Sequence, residues 1–299
     1  MRFERALLIY NGNAGQKDMK QALGVAVPIL SSSISNLMIV QTQRSGHAKE
    51  LCQLHGPDVD LVIILGGDGT VHECINGLSN LDHRPIIGIL PAGTCNDFSR
   101  SLLIEQDIAL AANQIISCGS MPVDVLKVNE QYSLNFWGTG LIAETSNNIR
   151  PTEKDHFGKV GYMLSAIRTM NYMNQFKYVL DIDGEKIEGE ALLIIAANGN
   201  YIGTNKLPFK AISYHDGLAD VFIIKHTNLT LLKELFTTDI TIQNNELSQE
   251  MDHYSGKSIT IYTDEDMDAD MDGELYTKTP SYITVLKHHL QMVTPSGKW

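Results

Sequence analysis

The hydrophobic pattern changes character partway along the chain. In the first part, short apolar runs at 6–10, 37–40, 61–65 and 85–90 carry almost no polar interruption. Such runs read as strands buried on both faces, as in a parallel sheet. Between them lie stretches with helical spacing: 18–30, a segment opening at Gly46, and 71–78, where Val71, Cys74, Ile75 and Leu78 share one face. Another helix is expected over 108–117, and Pro28 is expected to kink or end the first. Strand and helix alternating at this spacing predict a parallel sheet covered on both sides. From about Met121 the rhythm becomes strand after strand: 123–128 and 132–136 around Asn129-Glu130, then 177–182 and 187–197 around Asp183-Gly184. Further strands are expected at 218–225, 258–263 and 281–286, and one helix near 160–173. Hairpin-linked strands predict a mostly antiparallel sheet. The fold class is therefore α/β, with a three-layer α/β domain over 1–121 and a β-rich domain over 122–299. The end of the chain, near 292–295, is left free to return to the first domain.

The first strands run into Asn11-Gly12-Asn13-Ala14-Gly15, Gln41-Thr42, Gly66-Gly67-Asp68-Gly69-Thr70 and Pro91-Ala92-Gly93-Thr94. In a parallel sheet these turns share one rim, outside the carboxyl ends of the strands, where ligands bind. A strand, a glycine turn and a helix start together present backbone N–H groups and a helix N-terminus to phosphate. Glycine admits the anion because a Cβ would block its approach. Asp68 is the odd member. A carboxylate repels phosphate unless a cation lies between them, so Asp68 is read as facing Mg²⁺ or a reacting hydroxyl. The competing account is an ordinary βα turn with a capping Asp.

Composition narrows the function. The formal net charge of -12 opposes binding to nucleic acid by bulk charge, so no nucleic-acid partner is expected. Cys52, Cys74, Cys95 and Cys118 show no zinc or CxxC spacing, and free, reduced thiols are expected. The opening residues enter a strand at once, and no apolar run approaches the roughly 18 residues of a membrane span. A cytoplasmic protein is the expectation.

The rim lacks GxxxxGK[ST], and its strands lack GxGxxG. It has acids beside glycines instead: Asp68, Asn96-Asp97 and, at the domain junction, Asp124. Phosphoryl transfer needs phosphate neutralisation, a held Mg²⁺ and a base for the acceptor hydroxyl. Glycine turns and carboxylates serve the first two needs, and a carboxylate from the second domain would serve the third. The acidic run 267–274 offers one, although a solvated hairpin turn explains the same residues. Likewise 213–220 is either a plain turn or a loop whose oxygens hold a hard cation.

Four motifs, Gly66-Gly67-Asp68-Gly69-Thr70, 91–100 (PAGTCNDFSR), Asp216-Gly217-Leu218 and Asp272-Gly273-Glu274, occur in this order over the full length. Together they resemble the soluble bacterial diacylglycerol kinase family and its lipid-kinase relatives, which are related to sphingosine kinases. The GGDGT turn is shared with NAD kinases, and the 91–100 run is much more specific. The resemblance implies ATP and Mg²⁺ as cofactors, with ATP in a cleft between an α/β nucleotide-binding domain and a β-rich domain. It implies an ATP site lined by Asn11, Gly12, Asn13, Ala14, Gly15, Thr42, Gly66, Gly67, Asp68, Gly69, Thr70, Val71, His72, Glu73, Gly93, Thr94 and Asn96. Asp68, Asp97 and Asp124 would form an acidic network around the catalytic Mg²⁺, and Glu274 would accept the proton of the lipid hydroxyl. A second, structural Mg²⁺ would be held by Asp216 with oxygens of Ser213 and Leu218. The chain departs from the family at Gly12, where proline is usual, at His72, where Asn is common, and at Ala219, where a larger residue is common.

A lipid acceptor implies peripheral contact with a membrane surface. The segment 150–177 mixes Arg150, Lys154, Lys159, Arg168 and Lys177 with Phe157, Tyr162, Met163, Tyr172 and Met173, a composition suited to an interface. A core helix with a basic outer face competes with that account. A homodimer is left open. Two alternatives to a lipid kinase are an NAD kinase-like phosphotransferase and a silent nucleotide- or lipid-binding regulator.

Overall fold

The apolar runs become parallel strands in a computed structural model, which describes residues 3–12, 19–140, 143, 175–207, 212–225 and 251–295. Two compact units divide the chain: residues 1–123 with 288–299, and residues 124–287.

In the first unit, β1 (Phe3–Asn11), β2 (Ile34–Thr42), β3 (Leu61–Gly66) and β4 (Ile86–Pro91) lie in the order β2-β1-β3-β4. Every residue of β3 is buried. The helices are α1 (Met19–Ser31), α2 (His47–His55), α3 (Asp68–Leu78), α4 (Asp97–Ser101) and α5 (Ile108–Ser117). α1 packs with α5 and α2 with α3. Pro28 is accommodated inside α1, within a turn of its end. Register aligns the strand ends: Asn11 pairs with Thr42, Tyr10 with Leu65 and Gly66 with Pro91. The four turns singled out by their residues therefore leave one edge of one sheet, and the strand order reverses beside β1, between Asn11 and Gly66.

The second unit is built from hairpins. Its strands begin with β5 (Gly119–Val128), β6 (Gln131–Ser133), β7 (Phe136–Gly140), β8 (Phe176–Ile182), β9 (Glu185–Ala191) and β10 (Leu193–Ala197). They continue through β11 (Tyr201–Ile202), β12 (Asn205–Lys206), β13 (Ala219–Ile224) and β14 (Met251–Gly256). The last four are β15 (Ser258–Thr263), β16 (Asp268–Met271), β17 (Glu274–Lys278) and β18 (Ser281–Thr294). One antiparallel sheet runs β14-β13-β10-β7-β16-β17, and a second ladder runs β18-β15-β8-β9. Trp137, Tyr178, Ile194, Val221, Ile259 and Ile283 contribute to the core. The far end of β18 belongs to the first unit, where Met292 pairs with Ile87 and His289 meets Ser79 and Arg84.

The elements differ from the sequence pattern in three places. The expected strand at 132–136 is broken at Leu134-Asn135, and 187–197 is broken at Leu192, because in each case the chain leaves one ladder for another. The acidic run at 267–274 is a hairpin whose first strand is buried: Ala269, Asp270 and Met271 are all fully buried, and a solvated turn describes only Asp272-Gly273. Its acids masked the strand's alternation. The expected helix near 160–173 lies outside the described residues. Among the described residues no helix is long and apolar enough to cross a membrane.

The α2–α3 contact depends on Gly77, where a Cβ would lie 2.5 Å from the Lys49 carbonyl oxygen and 2.7 Å from Cys52 Cβ. A backbone oxygen cannot swing aside. Gly77→Val is therefore expected to lower the free energy of unfolding by about 1–3 kcal/mol, measured by chemical denaturation.

Candidate active site

The first unit's rim is organised by two glycine turns in backbone contact. A Cβ on Gly67 would lie 2.9 Å from Gly93 Cα, and one on Gly93 would lie 2.4 Å from Gly67 Cα. No side chain fits between them. They are held together by the Ala92 N–H, which donates to the Gly66 carbonyl at 2.9 Å, and by Asp68, the first residue of α3. Its Oδ2 accepts the Asn96 N–H at 2.8 Å and its Oδ1 accepts the Asp97 N–H at 2.8 Å. These are amides at the start of α4, where the helix leaves N–H groups without intrahelical partners. Asn96 adopts a left-handed conformation with φ of 55°, and its Oδ1 accepts the Gly93 N–H at 2.9 Å while Nδ2 donates to the Gly93 carbonyl at 3.0 Å. The second glycine turn is thus tied to itself by Asn96 and to the first by Asp68. The reading of Asp68 as facing only a cation or a hydroxyl is incomplete, because both carboxylate oxygens take part in this clamp.

The remaining rim candidates divide into backbone donors and side chains turned elsewhere. Thr70, Val71 and His72 are buried, and His72 lies against Asn76. Glu73 accepts the Gly46 N–H at 2.8 Å and the Ala48 N–H at 3.2 Å, so its carboxylate caps the start of α2 and fastens the loop after Thr42 to α3. Gly67, Asp68 and Gly69 are half-buried, and Thr94 is exposed on the second turn. Asn11 and Gly12 are half-buried at the end of β1. Asn13, Ala14 and Gly15 lie outside the described residues, as does the 150–174 part of the basic, aromatic segment.

In the second unit Asp124 is fully buried. Its Oδ2 accepts the Gly217 N–H at 2.6 Å, and its own N–H donates to the Tyr214 carbonyl at 2.7 Å. Asp124 therefore shapes the loop carrying Ser213, Asp216 and Leu218. In that loop Asp216 Oδ1 accepts the Leu218 N–H at 3.0 Å, and Ser213 Oγ lies 3.1 Å from His215 Nδ1. Burial pushes the Tyr214 hydroxyl pKa up. Nearby Asp220 is also raised by burial, against the opposing pull of His253, whose Nε2 lies 2.7 Å away. Glu274 opens β17 opposite Met271, and its side chain is outside the described residues. Among the described residues no three acidic, His or Cys side chains gather at metal-binding distance. Asn198, fully buried and bonded to the carbonyls of Asp124 and Leu134, escaped the sequence reading, since a lone Asn after an apolar strand has no spacing to mark it; Asp270, which lies in the acidic run 267–274, is fully buried and accepts the Gly273 N–H.

In Asp68→Asn, one of the two amides would face an NH₂ group instead of an oxygen. Hydrogen exchange at the Asn96 and Asp97 amides is expected to accelerate, with about 1–3 kcal/mol lost from the free energy of unfolding. Unchanged exchange would show that the clamp is not what orders this turn.

Comparisons with known proteins agree over the whole length. Residues 5–128 match the diacylglycerol kinase catalytic domain, and residues 139–294 match the YegS C-terminal NAD kinase beta sandwich-like domain. "Putative lipid kinase SAR0780" of Staphylococcus aureus strain MRSA252 is 37% identical over 98% of this chain and 98% of its own. A crystal structure titled as a putative diacylglycerol kinase from Bacillus anthracis str. Sterne superposes with a TM-score of 0.89 at 41% identity, covering 99% of this chain and 98% of that one. A second structure from the same organism, titled as a diacylglycerol kinase, gives a TM-score of 0.82 at 35% identity over 99% and 98% of the two chains.

Proposed function

The chain belongs to the lipid-kinase family that joins a diacylglycerol kinase catalytic domain to a YegS-type C-terminal domain, and from that membership we propose that it transfers the γ-phosphoryl group of ATP to the hydroxyl of a diacylglycerol-like lipid. The observation that carries this reading is the clamped pair of glycine turns. Gly67 and Gly93 touch through their backbones, so a side chain at either position would force the two turns apart. That geometry fits the phosphates of a nucleotide. Asn11, Gly67–Gly69 and Thr94 would hold them, largely through main-chain donors.

The donor set also fits Mg²⁺. The ion takes hard oxygen ligands, retains water, and is usually shared between one or two carboxylates and the substrate phosphates, so a preformed three-acid cage is not required. Bound there, Mg²⁺ would neutralise the charge that develops on the transferring phosphoryl group. By the family resemblance Asp68, Asp97 and Asp124 would hold it, directly or through water. In the second unit the oxygens of Ser213, Asp216 and Leu218 would hold a structural Mg²⁺. Glu274 would accept the proton of the lipid hydroxyl as the oxygen attacks.

This reading makes Asp68 bifunctional, since its carboxylate orders the second glycine turn and its charge draws the cation. It also implies peripheral membrane contact, for which the basic, aromatic composition of 150–177 is suited.

The test is transfer from radiolabelled ATP to diacylglycerol in mixed micelles, with NAD as the soluble control. Labelled phosphatidic acid is expected. Label appearing in NAD alone would favour the NAD kinase-like alternative, and ATP binding with no transfer to any acceptor would favour a silent regulator. Glu274→Gln is expected to lower kcat by about 10²–10⁴-fold, the contribution typical of a positioned base, while ATP affinity holds.

A further inference from the structure

Asp272 is a residue that the chemistry above leaves unused, yet its carboxylate has four hydrogen-bonding groups around it. It occupies the tip of the β16–β17 hairpin with φ of 56°, followed by Gly273 at 97°. Positive φ at both central residues matches a two-residue hairpin turn, a place that favours Asn, Asp or Gly. Turn geometry alone does not explain what the carboxylate does. Its Oδ1 accepts the Asn135 N–H at 2.8 Å and the Phe136 N–H at 3.2 Å and lies 2.7 Å from the Ser133 hydroxyl, whose single proton it shares with the Phe136 carbonyl 2.8 Å from the same Oγ, and its Oδ2 accepts the Leu134 N–H at 3.1 Å. Four donors from one corner of chain converge on one side chain. The hairpin tip is secured from within as well, since Asp270 Oδ1 accepts the Gly273 N–H at 2.7 Å.

The corner leads on to the other acid of this unit. The Leu134 carbonyl accepts Asn198 Nδ2–H at 2.6 Å, and the Asn135 carbonyl accepts the Asn198 and Gly199 N–H groups, each at 2.8 Å. The second Nδ2–H of Asn198 goes to the Asp124 carbonyl at 3.0 Å. Because both partners of Nδ2 are carbonyls, the amide's orientation is determined. An unbroken chain of hydrogen bonds therefore runs from the hairpin that carries Glu274, through Asp272, the 133–136 corner and Asn198, to Asp124.

We propose that Asp272 is a positioning residue: by fastening the Glu274 hairpin to the 133–136 corner, and through Asn198 to Asp124, it sets where the proton acceptor stands relative to that acid. This rests on the kinase reading above. A half-buried carboxylate clamp is suited to the task because each charge-assisted bond resists displacement more than a neutral one does, and displacement of about 1 Å in a reacting group can cost about 10²-fold in rate.

The test compares wild type, Asp272→Asn, Glu274→Gln and the double variant as full-length chains in the mixed-micelle assay. Asp272→Asn is expected to lower kcat by about 10- to 100-fold with the KM for ATP unchanged, and to shift the acid limb of the kcat–pH profile, which reports the base. In the Glu274→Gln background the same change is expected to cost less than about twofold, the non-additivity of residues that act as one unit. Full additivity, or an unaltered kcat and pH profile despite lowered stability, would reduce Asp272 to a structural turn residue. Should Asp272→Asn fail to fold, Ser133→Ala decides the matter by removing one of the four donors. A few-fold fall in kcat at constant KM supports the proposal, and none overturns it. No transfer by wild type, or full transfer by Glu274→Gln, would instead overturn the kinase reading or its base.

Discussion

The first unit depends on one carboxylate gripping two backbone amides. Gly67 and Gly93 approach more closely than any pair of side chains permits, and such an approach brings main-chain dipoles together without apolar surface to reward it. Asp68 supplies the missing attraction, because each of its oxygens accepts an N–H at the start of α4. The charge is favoured there by the helix terminus itself. The proposals for the rim start from this grip: the turns meet because glycines form them, and an acid helps to hold them there.

The same device recurs. Glu73 caps α2 and fastens the loop after β2, Asp124 holds the turn at Tyr214–Gly217, and Asp272 holds the corner at 133–136. Each time an acid organises a loop through backbone N–H groups. In an acidic chain with 35 carboxylates against 23 basic side chains, this gives part of the negative charge a structural use.

Within the lipid-kinase family the division of labour between units becomes physical. The parallel sheet delivers its turns to one edge because parallel strands end together. The antiparallel unit instead brings distant segments side by side through hairpins, which is how residues near 134, 198 and 272 come to share one hydrogen-bonded chain.

The sequence by itself determined the α/β class, the strands β1 to β4, the glycine turns at their ends and the family, because these depend on local patterns: unbroken apolar runs, helical spacing and short motifs. Gly66 to Thr70 and the 91–100 run could be read as one rim before any coordinates, since parallel strands leave no other place for them. Only the tertiary structure decided what the acids do. That Asp68 binds the amides of Asn96 and Asp97, that Glu73 faces α2 and that Asp272 grips a corner far away in sequence are all long-range pairings. A carboxylate looks the same in a solvated turn as in a clamp. Its partners are backbone amides, which every residue but proline possesses, so no residue type marks them in advance.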